Sequence, residues 1–187
     1  HSVMTPGDAP DVLVAMNPAA LKANLADVPR GATIIVNTDE FTTRNLKKVG
    51  WTTSPVDDDT LESWHVHALP LTSITVEALA DFDSLTRKEK ERAKNMFALG
   101  LLSWMYGREL ESSESFIREK FARKPEVAEA NVLALKAGWN YGETTEAFGP
   151  TYEVAPARLA EGTYLCRVDA RSLVPAGHLR VCTETLR

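Results

Sequence analysis

The sequence predicts an α/β fold: three layers, with a mostly parallel sheet flanked by helices. Three observations predict it. Residues 11–16, DVLVAM, and 33–37, TIIVN, are short and almost wholly apolar, as strands buried on both faces of a parallel sheet are. Between them PAALKANL carries Ala19, Leu21 and Leu25 near helical spacing, so the two strands are joined by a helix and run parallel with a right-handed crossover. Further along, several segments have the length and apolar spacing of helices that could cover such a sheet.

The elements follow in order. Asn17-Pro18 opens the first helix, Asn as N-cap and Pro at the first helical position. Pro29-Arg30-Gly31 stops it. Residues 38–63 are polar and irregular; they hold NTDEF, a helical turn near TTRNLKKVG and the acidic run at 57–59. HVHALPL, 65–71, is a third strand, with Pro70 marking an edge or an end. Thr72-Ser73 then stands before a short helix, ITVEALADF. Thr86-Arg87-Lys88-Glu89 has the form of a capping box and opens a long helix over 87–106, which Gly107 stops. A further helix fits 113–121. Another starts with Pro125 and runs to about Gly138, with Val127, Ala130, Ala134, Leu135 and Ala137 as its apolar face. Past Tyr141 the sequence is rich in Gly, Pro, Thr and Glu, and reads as a linker. The division expected is a domain over 1–142, a linker over 143–165 and a tail over 166–187.

Bulk properties narrow the function. The 187 residues are 44% hydrophobic and 25% charged, an ordinary globular composition in a chain long enough to bury a core without disulfides or metals. With 21 basic against 26 acidic residues the net charge is −5, which argues against a nucleic-acid partner. The most apolar segment, MFALGLLSWMY at 96–106, is far shorter than the roughly 20 residues a membrane helix needs and reads as a buried core helix. Gly100 inside it would let another backbone approach closely. HSVMTPGDAP lacks the basic and apolar regions of a signal peptide, so a cytoplasmic location is expected. The chain opens with His rather than Met, as a partial product would. Cys166 and Cys182 form no C-x-x-C, zinc or iron–sulfur pattern. Two free thiols in a reducing cytosol are the expected state, with a disulfide as the alternative.

No motif of known chemistry stands out: no Walker A sequence, G-x-G-x-x-G, G-x-S-x-G or H-E-x-x-H. His65 and His67 share a strand face, but no third ligand is spaced for a metal, so two histidines on a half-exposed strand is the better account. KEKERAK at 88–94 alternates in sign and suits a solvated helix face better than a phosphate site. Position is the stronger clue. Ligands of parallel α/β sheets gather beyond the carboxyl ends of the strands, where Asn17-Pro18, Thr38-Asp39 and Thr72-Ser73 fall. Asn95, a polar interruption inside a helix, joins them as a candidate ligand contact. Taken singly, each has a simpler structural role: Asn17 caps a helix, as does Thr72 or Thr75. Together they mark the edge of a site.

Several blocks then agree in order: DVLVAMNPAALKANLADVPRGATIIVNTDEF, HVHALPLTSITVEAL, KNMFALGLLSWMYGR and KPEVAEANVLALKAGWNYGET. Together they resemble the gamma-type domain of the 2-oxoacid:ferredoxin oxidoreductases, the pyruvate/ketoisovalerate oxidoreductase family. Within it they are most similar to the N-terminal region of the two-subunit, 2-oxoglutarate-type alpha subunit, over about residues 5–164. The resemblance implies an enzyme that oxidatively decarboxylates a 2-oxoacid on thiamine diphosphate. It passes electrons through an iron–sulfur cluster to ferredoxin and releases an acyl-CoA. It also implies that this domain packs against thiamine-binding domains and handles coenzyme A at its rim (Asn17, Thr38, Thr72, Ser73, Asn95), with no catalytic residue and no metal of its own. Thiamine diphosphate and the cluster would lie in partner domains or subunits, the partners being a thiamine-binding beta subunit and, through the complex, ferredoxin, with no nucleic acid and no membrane.

Two departures carry expectations. Family members open with an earlier strand and Gly-rich loop, so the first βα unit is expected to be lacking. After Tyr164 the family's continuation is lost, and the tail is expected to be a shifted reading frame. A sheet lacking one βα unit exposes an apolar edge, so the chain alone is expected to be marginal or aggregation-prone, and inactive. The rival reading is a non-catalytic α/β interaction or nucleotide-binding module.

Overall fold

The computed structural model describes residues 2–3, 9–145, 152, 162–167 and 181–186. The chain divides into two compact units, Pro10–Val154 and a smaller one formed by His1–Ala9 with Ala155–Arg187. Strand β1 (Ser2–Val3) belongs to the smaller unit.

The larger unit opens with β2 (Val12–Ala15), α1 (Pro18–Asn24), β3 (Thr33–Asn37), α2 (Thr43–Lys48) and β4 (His65–Leu69). The strands form a parallel sheet in the order β2-β3-β4. Val12 pairs with Thr33, and Thr33 in turn with His65, so all three carboxyl ends finish at one level. Five helices follow: α3 (Leu71–Ala78), α4 (Arg87–Arg92), α5 (Lys94–Met105), α6 (Glu111–Lys120) and α7 (Pro125–Thr145).

The central strand shows why this is a three-layer fold. Every residue of β3 is buried, and its side chains alternate between two cores. Ile35 packs with Leu69, Leu71, Phe97, Leu101 and Met105 on the face covered by α5. Ile34 and Val36 pack with Leu21, Val28 and Leu61 on the opposite face, under α1. Each fully buried Leu, Ile or Phe contributes roughly 1.5–3 kcal/mol. The α/β class and the parallel layered sheet agree with the sequence.

Three element boundaries differ. The helix expected over 87–106 is two helices, broken at Ala93. There the N–H turns back to the carbonyls of Lys90 and Glu91, and the residue is buried beside Leu79, Ala130 and Ala134. The break separates the charged, solvated α4 from the apolar α5. Its N-terminal capping box, Thr86 with Glu89, is formed in both directions. Thr72 and Ser73 lie inside the first turn of α3, not before it; neither they nor Thr75 cap that helix, and Thr75 donates back to the Leu71 carbonyl at 2.6 Å. The last helix passes through Gly138 and Gly142 to Thr145.

Those glycines explain themselves at the α5–α7 crossing. A Cβ on Gly100 would overlap the Leu135 carbonyl, and one on Gly138 would overlap the Phe97 carbonyl. Each helix supplies the glycine against which the other lays its backbone. Gly142 instead lies under the Trp104 ring. The apolar stretch is therefore a buried helix locked to a neighbour, as its composition requires. Among the described residues no helix is long and apolar enough to cross a membrane.

In the smaller unit β5 (Gly162–Arg167) and β6 (Val181–Leu186) pair antiparallel, and β1 joins the far side of β6. Of the expected linker, 146–151 and 153–161 fall outside the described residues.

Candidate functional site

The site is assembled where the three strands end. After β2, the Asn17 side chain accepts a hydrogen bond from the Ala20 N–H at 2.9 Å and so caps α1, with Pro18 buried behind it. After β3 the chain makes a tight turn over Thr38–Glu40. After β4, Pro70 leads directly into α3.

The turn after β3 holds the start of α3 in place. Asn37 is fully buried. Its amide nitrogen donates to the Thr72 hydroxyl at 3.0 Å and to the Met16 carbonyl at 3.5 Å, and its carbonyl accepts from the Thr72 N–H at 3.4 Å. Asp39 accepts from the Ser73 N–H at 2.7 Å and from the Ser73 hydroxyl at 2.8 Å. Proline at the α3 N-cap offers no side-chain bond of its own, so the exposed amides of its first turn are satisfied by residues more than thirty positions away. Asp39 also places a carboxylate against the positive end of the helix dipole. That end of α3 is thereby filled by the protein's own side chains.

The adjoining cleft, of about 270 Å³, is lined by Asn17, Pro18, Ala19, Glu40, Asn45, Lys48 and Val49. Glu40 pairs with Lys94 of α5 at 2.9 Å and takes a bond from the Asn45 side chain at 3.4 Å. Its charge is thereby balanced. Among the described residues Lys48 donates only to the neutral Asn45 side-chain oxygen, at 3.0 Å, and has no carboxylate partner. Lys22 donates to the Val49 carbonyl, with its ammonium 6.0 Å from the centre of the Trp51 ring. Polar groups and the Lys48 ammonium converge here, and among the described residues the Ser73–Asp39 pair has no histidine hydrogen-bonded to it to serve as a base.

The structure brings four of the five sequence-derived candidates to the strand ends. Asn17 lines the cleft; Thr72 and Ser73 enter the hydrogen-bonded cluster. Thr38 is half-buried in the turn and contributes its carbonyl, which accepts from the Phe41 N–H. Asn95 is exposed on α5, one residue beyond the lysine that reaches Glu40, and its side chain makes no hydrogen bond among the described residues. Sequence reasoning placed Asp39 at the end of the second strand without singling it out, and missed Asn37, Glu40, Lys48 and Lys94 as members of the site. An asparagine closing an otherwise apolar strand was the available signal for Asn37.

The other candidates resolve locally. His65 is exposed and His67 half-buried on β4. Burial pushes the His67 imidazole below its ordinary pKa, and the neighbouring His65 charge adds to this. Among the described residues no three His, Cys, Asp or Glu side chains are grouped to hold a metal ion. The charged run on α4 is a surface face: Arg87 pairs with Glu91, and Lys90 donates to the Ala80 carbonyl.

A parallel sheet covered by helices on both faces, with hydrogen-bonded polar side chains at its carboxyl ends, defines a layered α/β domain. The chain belongs to the pyruvate ferredoxin/flavodoxin oxidoreductase family, whose profile matches residues 1–141. It is 65% identical over 164 residues to the 2-oxoglutarate oxidoreductase subunit KorA of Mycobacterium tuberculosis, a match that takes 88% of this chain and 25% of that protein. The chain therefore spans a quarter of the length of this curated relative. Among solved structures it is similar to a 2-oxoglutarate:ferredoxin oxidoreductase from Magnetococcus marinus with 2-oxoglutarate, coenzyme A and succinyl-CoA bound. The TM-score is 0.59 at 20% identity, over 89% of this chain and 25% of that one, a likeness of fold.

Proposed function

We propose that this chain serves as the gamma-type domain of a 2-oxoacid:ferredoxin oxidoreductase, with 2-oxoglutarate as the 2-oxoacid, and that its role is subunit packing and coenzyme A access. The substrate assignment rests on the likeness to KorA. The observation that carries the role is the strand-end cleft, where Lys48, beside Asn17, has no carboxylate partner among the described residues. Such a cleft suits an anionic, nucleotide-like ligand. In this reading Lys48 meets a phosphate of coenzyme A, while Asn17, Thr38, Thr72, Ser73 and Asn95 form the rim along which the ligand lies. Thiamine diphosphate and the iron–sulfur cluster belong to other domains or to a thiamine-binding beta subunit, which ferredoxin meets through the complex. The chain works in the cytoplasm and is inactive by itself.

Co-expression with the beta subunit tests the proposal. The expected result is co-purification, with coenzyme A bound more weakly by Lys48→Ala. Coenzyme A or nucleotide binding by the chain with no affinity for the beta subunit would favour the stand-alone module. Turnover of 2-oxoglutarate by the chain alone would refute the division of labour.

A further inference from the structure

The two cysteines of the tail lie opposite one another in the ladder. β5 and β6 pair antiparallel with Cys166 in direct register with Cys182. Directly opposed residues of such a pair share a face and have Cα atoms about 4.5–5.5 Å apart, within the roughly 4.4–6.8 Å that a disulfide spans. The sheet order is β1-β6-β5, so a bond there ties an edge strand to the central one. Both cysteines lie beyond the residues 1–141 that the family profile matches, so the inference does not depend on the proposed function.

We propose that Cys166 and Cys182 form a reversible cross-strand disulfide by exchange with a low-molecular-weight disulfide such as glutathione disulfide. One protein thiol gives up its proton, and its thiolate attacks the small disulfide. A mixed disulfide forms and one glutathione leaves as thiolate. The second protein thiolate then attacks the protein sulfur of that mixed disulfide and expels the other glutathione. Two electrons pass from the protein thiols to the small disulfide, and the two released thiolates take up the two protons. In a reducing compartment the pair stays as thiols until the small disulfide accumulates. The proposal joins the two states weighed from the sequence, free thiols in a reducing cytosol and a disulfide, as two ends of one equilibrium.

The test uses the whole chain, equilibrated in glutathione buffers from reducing to oxidising, quenched with an alkylating agent and weighed intact. The expected oxidised product is a monomer two hydrogens lighter, free of alkyl and glutathione adducts, and restored by dithiothreitol. A second variant separates register from mere nearness in sequence. Val181→Cys combined with Cys182→Ser moves the thiol one step along β6, to the other face, and should lower the internally bonded fraction by about tenfold or more. Two alkyl groups or two glutathione adducts on the oxidised wild-type chain, or disulfide-linked dimers, would overturn the proposal. So would equal closure by the shifted variant, because register would then play no part.

Discussion

Where α5 crosses α7, two backbones touch through glycine; at the strand ends, backbones are held apart and joined by side chains that reach across 35 positions of sequence. The first region has no room for an added atom. The second accepts changes of side chain, but each change strands a polar partner. This difference teaches where the molecule keeps its shape and where it can vary its chemistry. The crossing fixes the layer behind the sheet, and the rim can be retuned without moving that layer.

The sharpest break is at the crossing. Gly100→Ala gains about 1 kcal/mol of helix propensity. It also drives a methyl into the Leu135 carbonyl, and overpacking against a backbone costs about 3 kcal/mol or more. A marked fall in the urea midpoint or in soluble yield is expected, and likewise for Gly138→Ala. An unchanged midpoint would mean that the helices separate freely. Gly142→Ala should cost less, since the atoms nearest its added methyl belong to the Trp104 side chain rather than to a backbone.

At the rim, Asn37→Ala leaves the Thr72 N–H and hydroxyl without their partner, an expected loss of about 1–3 kcal/mol by urea denaturation. Asp39→Ala removes a cap supplied from another element, and a loss of about 1 kcal/mol is expected. If both variants match the wild type, the rim is not what starts α3.

The pH dependence concerns β4. The folded His67 has a pKa below its ordinary value, so the unfolded chain takes up the proton first. Stability is therefore full above the ordinary histidine pKa and declines as pH falls from there to the depressed folded value. Urea midpoints across that window should fall less steeply in His67→Gln than in the wild type; parallel curves would assign the decline to other groups. The smallest effect on stability is expected for Lys48→Ala, within about 0.5 kcal/mol, and its influence would be read in ligand affinity alone.

Elements set by local chemistry were legible in the sequence. Asn17 with Pro18 started α1, Thr86 with Glu89 formed the capping box of α4, and the apolar runs became β2 and β3. What escaped was set by distant partners. Gly138 looks like a helix stop by local rules, yet its lack of a side chain serves the Phe97 carbonyl of another helix. Ala93 is a good helix former, yet the chain turns there as the residue is buried against Leu79 and two alanines of α7. The strand-end rule located Asn17, Thr72 and Ser73. It could not show that Asn37 and Asp39 organise them, because that pairing exists only once β3 and β4 are side by side.

The borrowed caps of α3 also bear on the order of assembly. A helix of eight residues is too short to persist alone in water, and this one carries no stop or start signal of its own at its first turn. It has to wait until β3 and β4 are paired, a contact between distant parts of the chain that is slow to form. In the transition state for folding, α3 should therefore be unformed. In a time course of helix formation, α3 would join late, after the pairing of β3 with β4.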